Sequence, residues 1–185
     1  MSRETIMKAK FLTDTVSVSE QVLASEINKL AEQGFRSIIC NRPNHESPDQ
    51  PDFTEISRAA QAAGIEARFL PVNSGLVTLD EAKKFGQLVQ QLPKPILAYC
   101  RSGTRSAQLW ALDQADQGKD FIEINVIALR AGFNVESLLN TQMADAKKNL
   151  TPLIQKKAMT LLLSAADRPE LPPPQVYYNE NLISP

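Results

Sequence analysis

The chain has 185 residues, of which 43% are hydrophobic and 22% are charged, a balance typical of one globular domain with a short appendage. Its 20 Lys and Arg residues against 21 Asp and Glu residues give a formal charge of −1, which provides no global attraction for nucleic acid or an anionic membrane. One histidine, His45, and two widely separated cysteines, Cys40 and Cys100, exclude a multi-histidine metal site and a CxxC redox pair.

The sequence also carries no signal for membrane insertion or export. No apolar run approaches the ~20 residues that cross a membrane, and the start, MSRETIMKAK, lacks the apolar core of a signal peptide. We therefore expect a cytoplasmic protein in which both cysteines are reduced thiols.

Short β-rich runs alternate with helical patterns along most of the chain. In chain order the predicted elements are a strand at Val16–Ser19, a helix at Ser25–Gln33, a strand at Phe35–Cys40, a helix from Asp52 to Gly64, a strand at Ile65–Val72, a helix from Thr78 to Leu92, a strand at Ile96–Tyr99, and helices at Ser106–Gln117, Asp120–Ala131 and Val135–Lys147. This alternation predicts right-handed βαβ units, and hence an α/β fold whose mainly parallel sheet is flanked by helices on both faces.

Local signals set several of these boundaries. Asp52 with Glu55, and Thr78 with Glu81, have the spacing of capping residues at a helix N-terminus. The run Ile96–Tyr99 is wholly apolar, which favours a buried central strand over an edge strand.

The C-terminal part of the chain differs in composition from the rest. We assign a catalytic domain to residues 1–145 and a C-terminal region to residues 146–185. Leu150–Ser164 can form an amphipathic helix, and the proline-rich residues after it predict an extended tail. This helix either packs on the domain's own surface or forms a self-association surface, which would make the protein a homo-oligomer.

The segment most informative about function is PILAYCRSGTRS, at Pro95–Ser106. A buried strand delivers Cys100 to its carboxyl end, and Arg105 begins the following helix. Gly103 allows the backbone between them to approach an anion closely. Converging amide groups and the helix N-terminus stabilise both a bound anion and an ionised thiol. The segment therefore predicts an anion pocket that contains a nucleophile and requires no histidine.

Two resemblances to known families follow from these residues. The loop CRSGTRS, at Cys100–Ser106, resembles the active-site loop of rhodanese-type sulfurtransferases. The surrounding chain, roughly residues 15–139, more closely resembles the beta-lactamase hydrolase-like, phosphatase-like family, whose fold is related to that of dual-specificity phosphatases. Three segments carry the second resemblance: GFRSIICNRP at Gly34–Pro43, LPV at Leu70–Val72 and ILAYCRSGTRSAQLWAL at Ile96–Leu112.

These resemblances imply roles for individual residues of the loop. Cys100 matches the nucleophile of both families, and Arg105 matches the arginine that holds a sulfonate or phosphate by bidentate hydrogen bonds. Ser106 matches the hydroxyl residue that assists the thiolate in phosphatases. Backbone amides of the loop would form an oxyanion cradle. The other predicted anion-binding residues are Arg101, Ser102, Gly103 and Thr104 and, after a neighbouring strand, Asn41 and Arg42.

Three departures from the phosphatase pattern favour sulfur chemistry. Protein tyrosine and dual-specificity phosphatases place five residues between the cysteine and the arginine, whereas four stand here. Tyr99 occupies the position where those enzymes usually have histidine. Asn73 and Ser74 stand where their aspartate general acid is expected, and sulfur transfer, which expels a stable anion, does not need that acid.

We therefore expect a sulfurtransferase that moves sulfane sulfur through a Cys100 persulfide, with no metal or organic cofactor. Its partner would be a small anionic substrate such as thiosulfate or a persulfide, and neither nucleic acid nor a membrane is expected to bind. One alternative is a phosphatase that hydrolyses phosphate monoesters through a cysteinyl-phosphate. Another is a non-catalytic module that senses an anion or a persulfide.

Three residues outside the loop have two interpretations each. Cys40 ends an apolar strand and is expected in the core, although it could also serve as a resolving thiol for Cys100. Arg42 is either a solvated loop arginine or an anion-steering group. His45 lies in a polar, proline-broken loop and is expected to be exposed, with a pH-sensitive role near the site as the alternative.

Overall fold

The computed structural model describes residues 9–75 and 77–141, and in those ranges an α/β fold is built on a five-stranded sheet. The strands are β1 (Lys10–Phe11), β2 (Val16–Ser19), β3 (Ser37–Cys40), β4 (Glu66–Phe69) and β5 (Ile96–Tyr99). The helices are α1 (Ile27–Glu32), α2 (Phe53–Ala62), α3 (Leu79–Gln91), α4 (Thr104–Asp116) and α5 (Phe121–Arg130), with a 3-10 turn at Ala24–Glu26. Residues 136–141 are also helical.

The sheet has the order β1-β2-β5-β3-β4. Four strands, β2, β5, β3 and β4, run parallel to one another. The edge strand β1 pairs with β2 in the antiparallel direction. The prediction of a mainly parallel sheet with β5 at its centre is confirmed. Because parallel strands end at the same edge, Ser19, Cys40 and Cys100 are brought to one edge of the sheet, where α/β proteins bind ligands.

Helices cover both faces of this sheet, as predicted. Consecutive strand residues point to opposite faces. Ile38 and Leu97 therefore pack in a core cluster with residues of α1 and α2, whereas Ile39 and Ala98 pack in a second cluster with residues of α3, α4 and α5. All the residues of β2, β3 and β5 are buried, which explains why β5 consists of apolar side chains.

Capping residues start α2 and α3 where predicted, with the complete capping pair formed at Thr78 and Glu81 and the cap of α2 formed by Asp52 without Glu55. The Asp52 carboxylate accepts a hydrogen bond from the N–H of Thr54 at 2.9 Å. The Thr78 hydroxyl accepts from the N–H of Glu81 at 3.3 Å, and the Glu81 carboxylate accepts from the N–H of Thr78 at 2.8 Å. These bonds satisfy N–H groups that would otherwise lack a partner in the first turn.

Some element boundaries differ from those predicted. The helix expected from Ser106 begins two residues earlier, at Thr104, and the strand expected over Ile65–Val72 is limited to β4. Strand β1 was not predicted. The end of the helix predicted to reach Lys147, the amphipathic helix, the tail and the boundary between residues 145 and 146 lie outside the described residues.

Within the described ranges, no helix combines the length and the apolar character needed to cross a membrane. This finding does not test the expected cytoplasmic location, which stays a prediction.

Candidate active site

The turn between β5 and α4 is built around Gly103. Gly103 has φ +88°, a left-handed conformation that favours glycine, and it directly precedes the first residue of α4. A Cβ at this position would lie 3.0 Å from the Phe133 ring and 3.2 Å from the carbonyl oxygen of Ser19. The turn therefore requires glycine for its backbone conformation and for the space around it.

Cys100 lies beneath this turn at the carboxyl end of the central strand. Its residue surface is 1% exposed. Its thiol Sγ accepts a hydrogen bond from the N–H of Gly103 at 3.2 Å, and its own N–H donates to the carbonyl of Ser19 at 3.4 Å. An amide donor directed at the sulfur stabilises a thiolate, and this contact is the first element of the predicted cradle.

Arg105 connects two separate segments of the chain, the loop after β3 and the segment after β4, to the first turn of α4. It is 6% exposed. Its Nη1 donates to the carbonyls of Asn41 at 3.1 Å and Val72 at 2.6 Å, and its Nη2 donates to Glu46 Oε1 at 2.7 Å. These bonds use three of the five N–H donors of a guanidinium group. The N–H on Nε and the second N–H on Nη2 remain for an anion, in keeping with the predicted role of Arg105.

Glu46 is a site residue that the sequence interpretation missed. Its carboxylate binds two arginines, because Oε1 accepts from Arg105 and Oε2 accepts from Nε of Arg42 at 2.8 Å. Burial alone would raise the pKa of Glu46, but hydrogen bonds and charge from the two guanidinium groups outweigh it and lower that pKa. The only sequence signal was the spacing of Arg42 and Glu46, and this spacing has no special meaning in a loop.

Arg42 is held by protein groups on every guanidinium nitrogen. Besides Glu46, it donates to Gln21 Oε1 at 2.9 Å through Nη1 and to the Ser47 hydroxyl at 3.0 Å through Nη2. It is 4% exposed, so the interpretation of a solvated loop arginine is wrong. Direct binding of an anion by Arg42 stays a prediction, and the structure adds a role in holding the loop that contains Glu46.

Asn41 and Ser106 bind each other in the interior. The Ser106 hydroxyl donates to Asn41 Oδ1 at 2.9 Å, and Asn41 Nδ2 donates to the carbonyl of Leu70 at 3.1 Å. Both residues are completely buried. In this arrangement they connect three parts of the chain: the end of β3, the segment that follows β4, and helix α4. The predicted contact of Ser106 with the thiolate and the predicted contact of Asn41 with an anion stay predictions.

The rest of the loop faces solvent. Arg101, Ser102 and Thr104 are exposed, and the Ser102 hydroxyl donates to the Thr104 hydroxyl at 3.1 Å. Arg101 makes no hydrogen bond or ion pair with any other residue in the described part of the chain. Of the three arginines predicted around the pocket, Arg101 is therefore the exposed one, whereas Arg42 and Arg105 are buried.

Cys40 and Tyr99 belong to the core cluster beneath α1 and α2. Cys40 is 2% exposed, as expected of a core residue, and its thiol donates to the carbonyl of Arg42 at 3.4 Å. Burial raises the pKa of the Cys40 thiol and of the Tyr99 phenol, so both are neutral near pH 7. Cys40 is therefore not expected to act as a thiolate nucleophile.

The position of the expected general acid holds no acidic side chain, and the histidine faces a different element. Asn73 and Ser74 follow the LPV segment and are both exposed. His45 is exposed as expected, with 89% of its side-chain surface accessible, and its Nε2 lies 3.9 Å from an oxygen of Asp52. The imidazole thus faces the N-terminus of α2, where Asp52 is the capping residue.

Comparison with known proteins identifies what this arrangement is similar to. A profile of the phosphatase-like domain of beta-lactamase hydrolase-like proteins matches residues 8–117. The beta-lactamase hydrolase-like protein of Agrobacterium fabrum is 34% identical over 113 residues, and its counterpart from Xylella fastidiosa (strain Temecula1) is 32% identical over the same length. In both comparisons the match covers 61% of this chain and 26% of the relative. The chain therefore spans about a quarter of the length of these curated relatives.

Solved structures show the same likeness. A candidate phosphatase from Neisseria meningitidis is 34% identical with a TM-score of 0.67, and the match covers 74% of this chain and 96% of that chain. The catalytic core of the PP-IP phosphatase Siw14 from S. cerevisiae is 17% identical with a TM-score of 0.56, covering 77% of this chain and 93% of that chain. The second comparison shows a shared fold.

These findings overturn the expectation of a rhodanese-type sulfurtransferase. The expected resemblance to rhodaneses rested on the short CRSGTRS loop, whereas the match to the phosphatase-like domain extends over residues 8–117. The loop length that favoured sulfur chemistry is also a weak criterion. Contacts with Asn41, Val72 and Glu46 help to set where the Arg105 guanidinium lies, so its position does not follow from the number of loop residues alone.

Proposed function

The chain belongs to the family of phosphatase-like domains of beta-lactamase hydrolase-like proteins, and from this premise we propose that it is a phosphatase that hydrolyses small phosphate monoesters through a cysteinyl-phosphate on Cys100. The observation that carries the proposal is the position of the Cys100 thiol under the Gly103 amide, in the same turn as Arg105. Free donors on Arg105 would bind two oxygens of the phosphoryl group. Exposed Arg101 would attract the dianionic substrate to the mouth of the pocket.

The chemistry proceeds in two displacements. In the first, the Cys100 thiolate attacks phosphorus, the S–P bond forms, and the bond from phosphorus to the ester oxygen breaks, leaving an alkoxide or phenoxide that takes a proton. In the second, water attacks phosphorus, the S–P bond breaks, and inorganic phosphate and the thiolate are released with loss of a proton. Loop amides and Arg105 stabilise the charge on the phosphoryl oxygens in both transition states.

The test uses the two cysteines as a matched pair. We expect the wild-type protein to hydrolyse an aryl phosphate. Cys100→Ser should lower this activity by at least about a thousandfold, because an unactivated hydroxyl is a poor nucleophile. Cys40→Ser should retain the activity. Rapid quenching followed by mass spectrometry should find phosphate on the peptide that contains Cys100.

Two results would contradict the proposal. Turnover that survives in Cys100→Ser would show that another group attacks phosphorus. A wild-type protein that binds inorganic phosphate but turns over neither aryl nor alkyl phosphates would favour the alternative of an anion-binding module.

A further inference from the structure

The carboxylate of Glu46 lies between two buried guanidinium groups. Arg42 and Arg105 come from different elements, and their side chains keep 5% and 6% of their accessible surface, whereas that of Glu46 keeps 22%. Each carboxylate oxygen binds one arginine, at 2.8 Å for Arg42 and 2.7 Å for Arg105. Such a bridge fixes the two guanidinium groups relative to each other.

The bond to Glu46 has a consequence for the donors of Arg105. Two carbonyls fix Nη1, and Glu46 fixes one hydrogen of Nη2. With these three directions set, rotation about the terminal side-chain bonds is prevented, and the remaining donors keep one orientation. Pre-orientation of this kind lowers the entropy cost of binding an anion.

The charge balance of this cluster also depends on Glu46. Two cations and one anion leave a net charge of +1. Removal of the carboxylate alone would raise this charge to +2 and would by itself favour a dianion, so the loss of affinity expected below comes from lost orientation of Arg105 and not from charge. Without the carboxylate, the two guanidinium groups would repel each other across a poorly solvated region, and only the two carbonyl bonds to Nη1 would hold Arg105.

We propose that Glu46 is a positioning residue that orients Arg105 towards the phosphoryl group, and that Arg42 braces Glu46 rather than binding the substrate itself. This inference rests on the proposed function, because it takes the phosphoryl group as the ligand of Arg105. It goes beyond that function by assigning the anion affinity of the site to a loop residue that does not touch the substrate.

The test measures binding of inorganic phosphate by calorimetry, which does not depend on turnover. We expect Glu46→Gln to weaken phosphate binding by about tenfold, the factor for loss of one charge-assisted hydrogen bond, and to raise KM for an aryl phosphate by a similar factor. Asp49→Asn is the matched control, because Asp49 is an exposed acidic residue of the same loop. It should bind phosphate within twofold of wild type.

A double-mutant cycle distinguishes positioning from a general structural effect. In an Arg105→Lys background, Glu46→Gln should weaken binding by less than a further twofold, because the group that it orients is already gone. Unchanged affinity in Glu46→Gln, or an equal loss in both backgrounds, would overturn the inference. If the wild-type protein binds phosphate but hydrolyses no ester, the proposed function fails while this comparison still gives a result.

A second pair of variants covers the case in which Glu46→Gln does not fold. Arg42→Gln with Glu46→Gln removes one cation and one anion together, so the cluster keeps its net charge. We expect this double variant to bind phosphate about tenfold more weakly than wild type, and Arg42→Gln alone, which leaves Glu46 on Arg105, to lose less. Equal losses in these two variants would show that Arg42 is the ligand and would overturn the inference.

Discussion

Gly103 and Gly34 have nearly the same backbone conformation, with φ of +88° and +91°, but different surroundings. A Cβ on Gly34 would meet nothing within 4 Å, whereas a Cβ on Gly103 would meet the Phe133 ring and the Ser19 carbonyl. The two positions therefore separate the cost of backbone strain from the cost of deforming the cradle.

We expect Gly103→Ala to lower kcat/KM for an aryl phosphate by at least about a hundredfold, because a shift of the turn removes the Gly103 amide from the Cys100 sulfur and misplaces the reacting groups. Gly34→Ala should cost about 1–2 kcal/mol of unfolding free energy from strain alone and keep kcat/KM within a factor of about three. Equal kcat/KM values for the two variants would show that the turn does not form the cradle. Chemical denaturation and steady-state kinetics measure the two effects.

At the level of single residues, the sequence predicted the positions of those groups that depend only on residues nearby in the chain. Cys100, Gly103 and Arg105 lie within one turn, so their spacing was enough to place them together. Glu46 was not predictable in this way, because its contact with Arg105 joins residues 59 positions apart. The same holds for the carbonyls of Asn41 and Val72, which reach Arg105 only once β3 and the segment after β4 are in place.

The packing of α3 on α4 depends on one small residue. A Cβ on Gly86 would lie 1.8 Å from Asp113 Oδ1, so the absence of a side chain on α3 makes room for a carboxylate on α4. Asp113 is 6% exposed, and its Oδ2 accepts hydrogen bonds from the side chains of Gln114 at 3.0 Å and Gln117 at 2.8 Å. Burial raises the pKa of Asp113, and these two bonds offset the effect only in part.

The raised pKa of Asp113 gives a signed prediction for stability. The folded state holds this proton more tightly than the unfolded chain, whose ordinary value is 3.8. The contribution of Asp113 to the unfolding free energy is therefore most favourable below that value and falls as the pH rises through the raised pKa. We expect Asp113→Asn to raise Tm by about 2–4 °C at pH 7, with a difference that shrinks as the pH approaches 4.

Calorimetric scans of wild type and variant at several pH values measure this difference. Asp116→Asn is the control on the same helix, because Asp116 forms an ion pair with Lys83 at 3.5 Å at the surface, and it should not raise Tm at pH 7. An Asp113→Asn variant that is less stable than wild type at pH 7 would contradict the prediction.

At the level of elements, the predictions succeeded where one segment contains its own signal. The capping residues of α2 and α3 act within a single turn, so the sequence placed both helix starts. Helix α4 begins earlier than predicted because the left-handed Gly103 allows the first turn to start at Thr104. Strand β1 has two residues and forms only by pairing with β2, a contact that no local pattern contains.

At the scale of the whole molecule, the short CRSGTRS loop and the domain that contains it favour different reactions, sulfur transfer and phosphate ester hydrolysis. The departures at Tyr99 and Asn73 are real, but each is one position in a domain whose likeness extends over residues 8–117. Tyr99 packs in the core beneath α1 and α2, so its side chain is a packing group of the fold. The missing acid at Asn73 still has a chemical consequence for the proposed phosphatase activity.

That consequence is a dependence of the rate on the leaving group. Residues 70–77 contain no acidic side chain, and Glu46 is held as a carboxylate by two arginines. We therefore expect kcat/KM for aryl phosphates to fall steeply as the leaving phenol becomes more basic, and alkyl phosphates to react at least about a hundredfold more slowly, the factor that general acid catalysis would supply. A series of substituted phenyl phosphates measures this slope.

A flat dependence would show that some side chain does protonate the leaving oxygen. Glu20 would then be the first residue to change, because it follows β2 directly after Ser19, whose carbonyl accepts the N–H of Cys100. If Glu20→Gln converted a flat series into a steep one, the proton donor would come from the β2 side of the central strand. That acid would lie on the β2 side of β5, whereas the phosphatase pattern places it after β4, on the β3 side of β5.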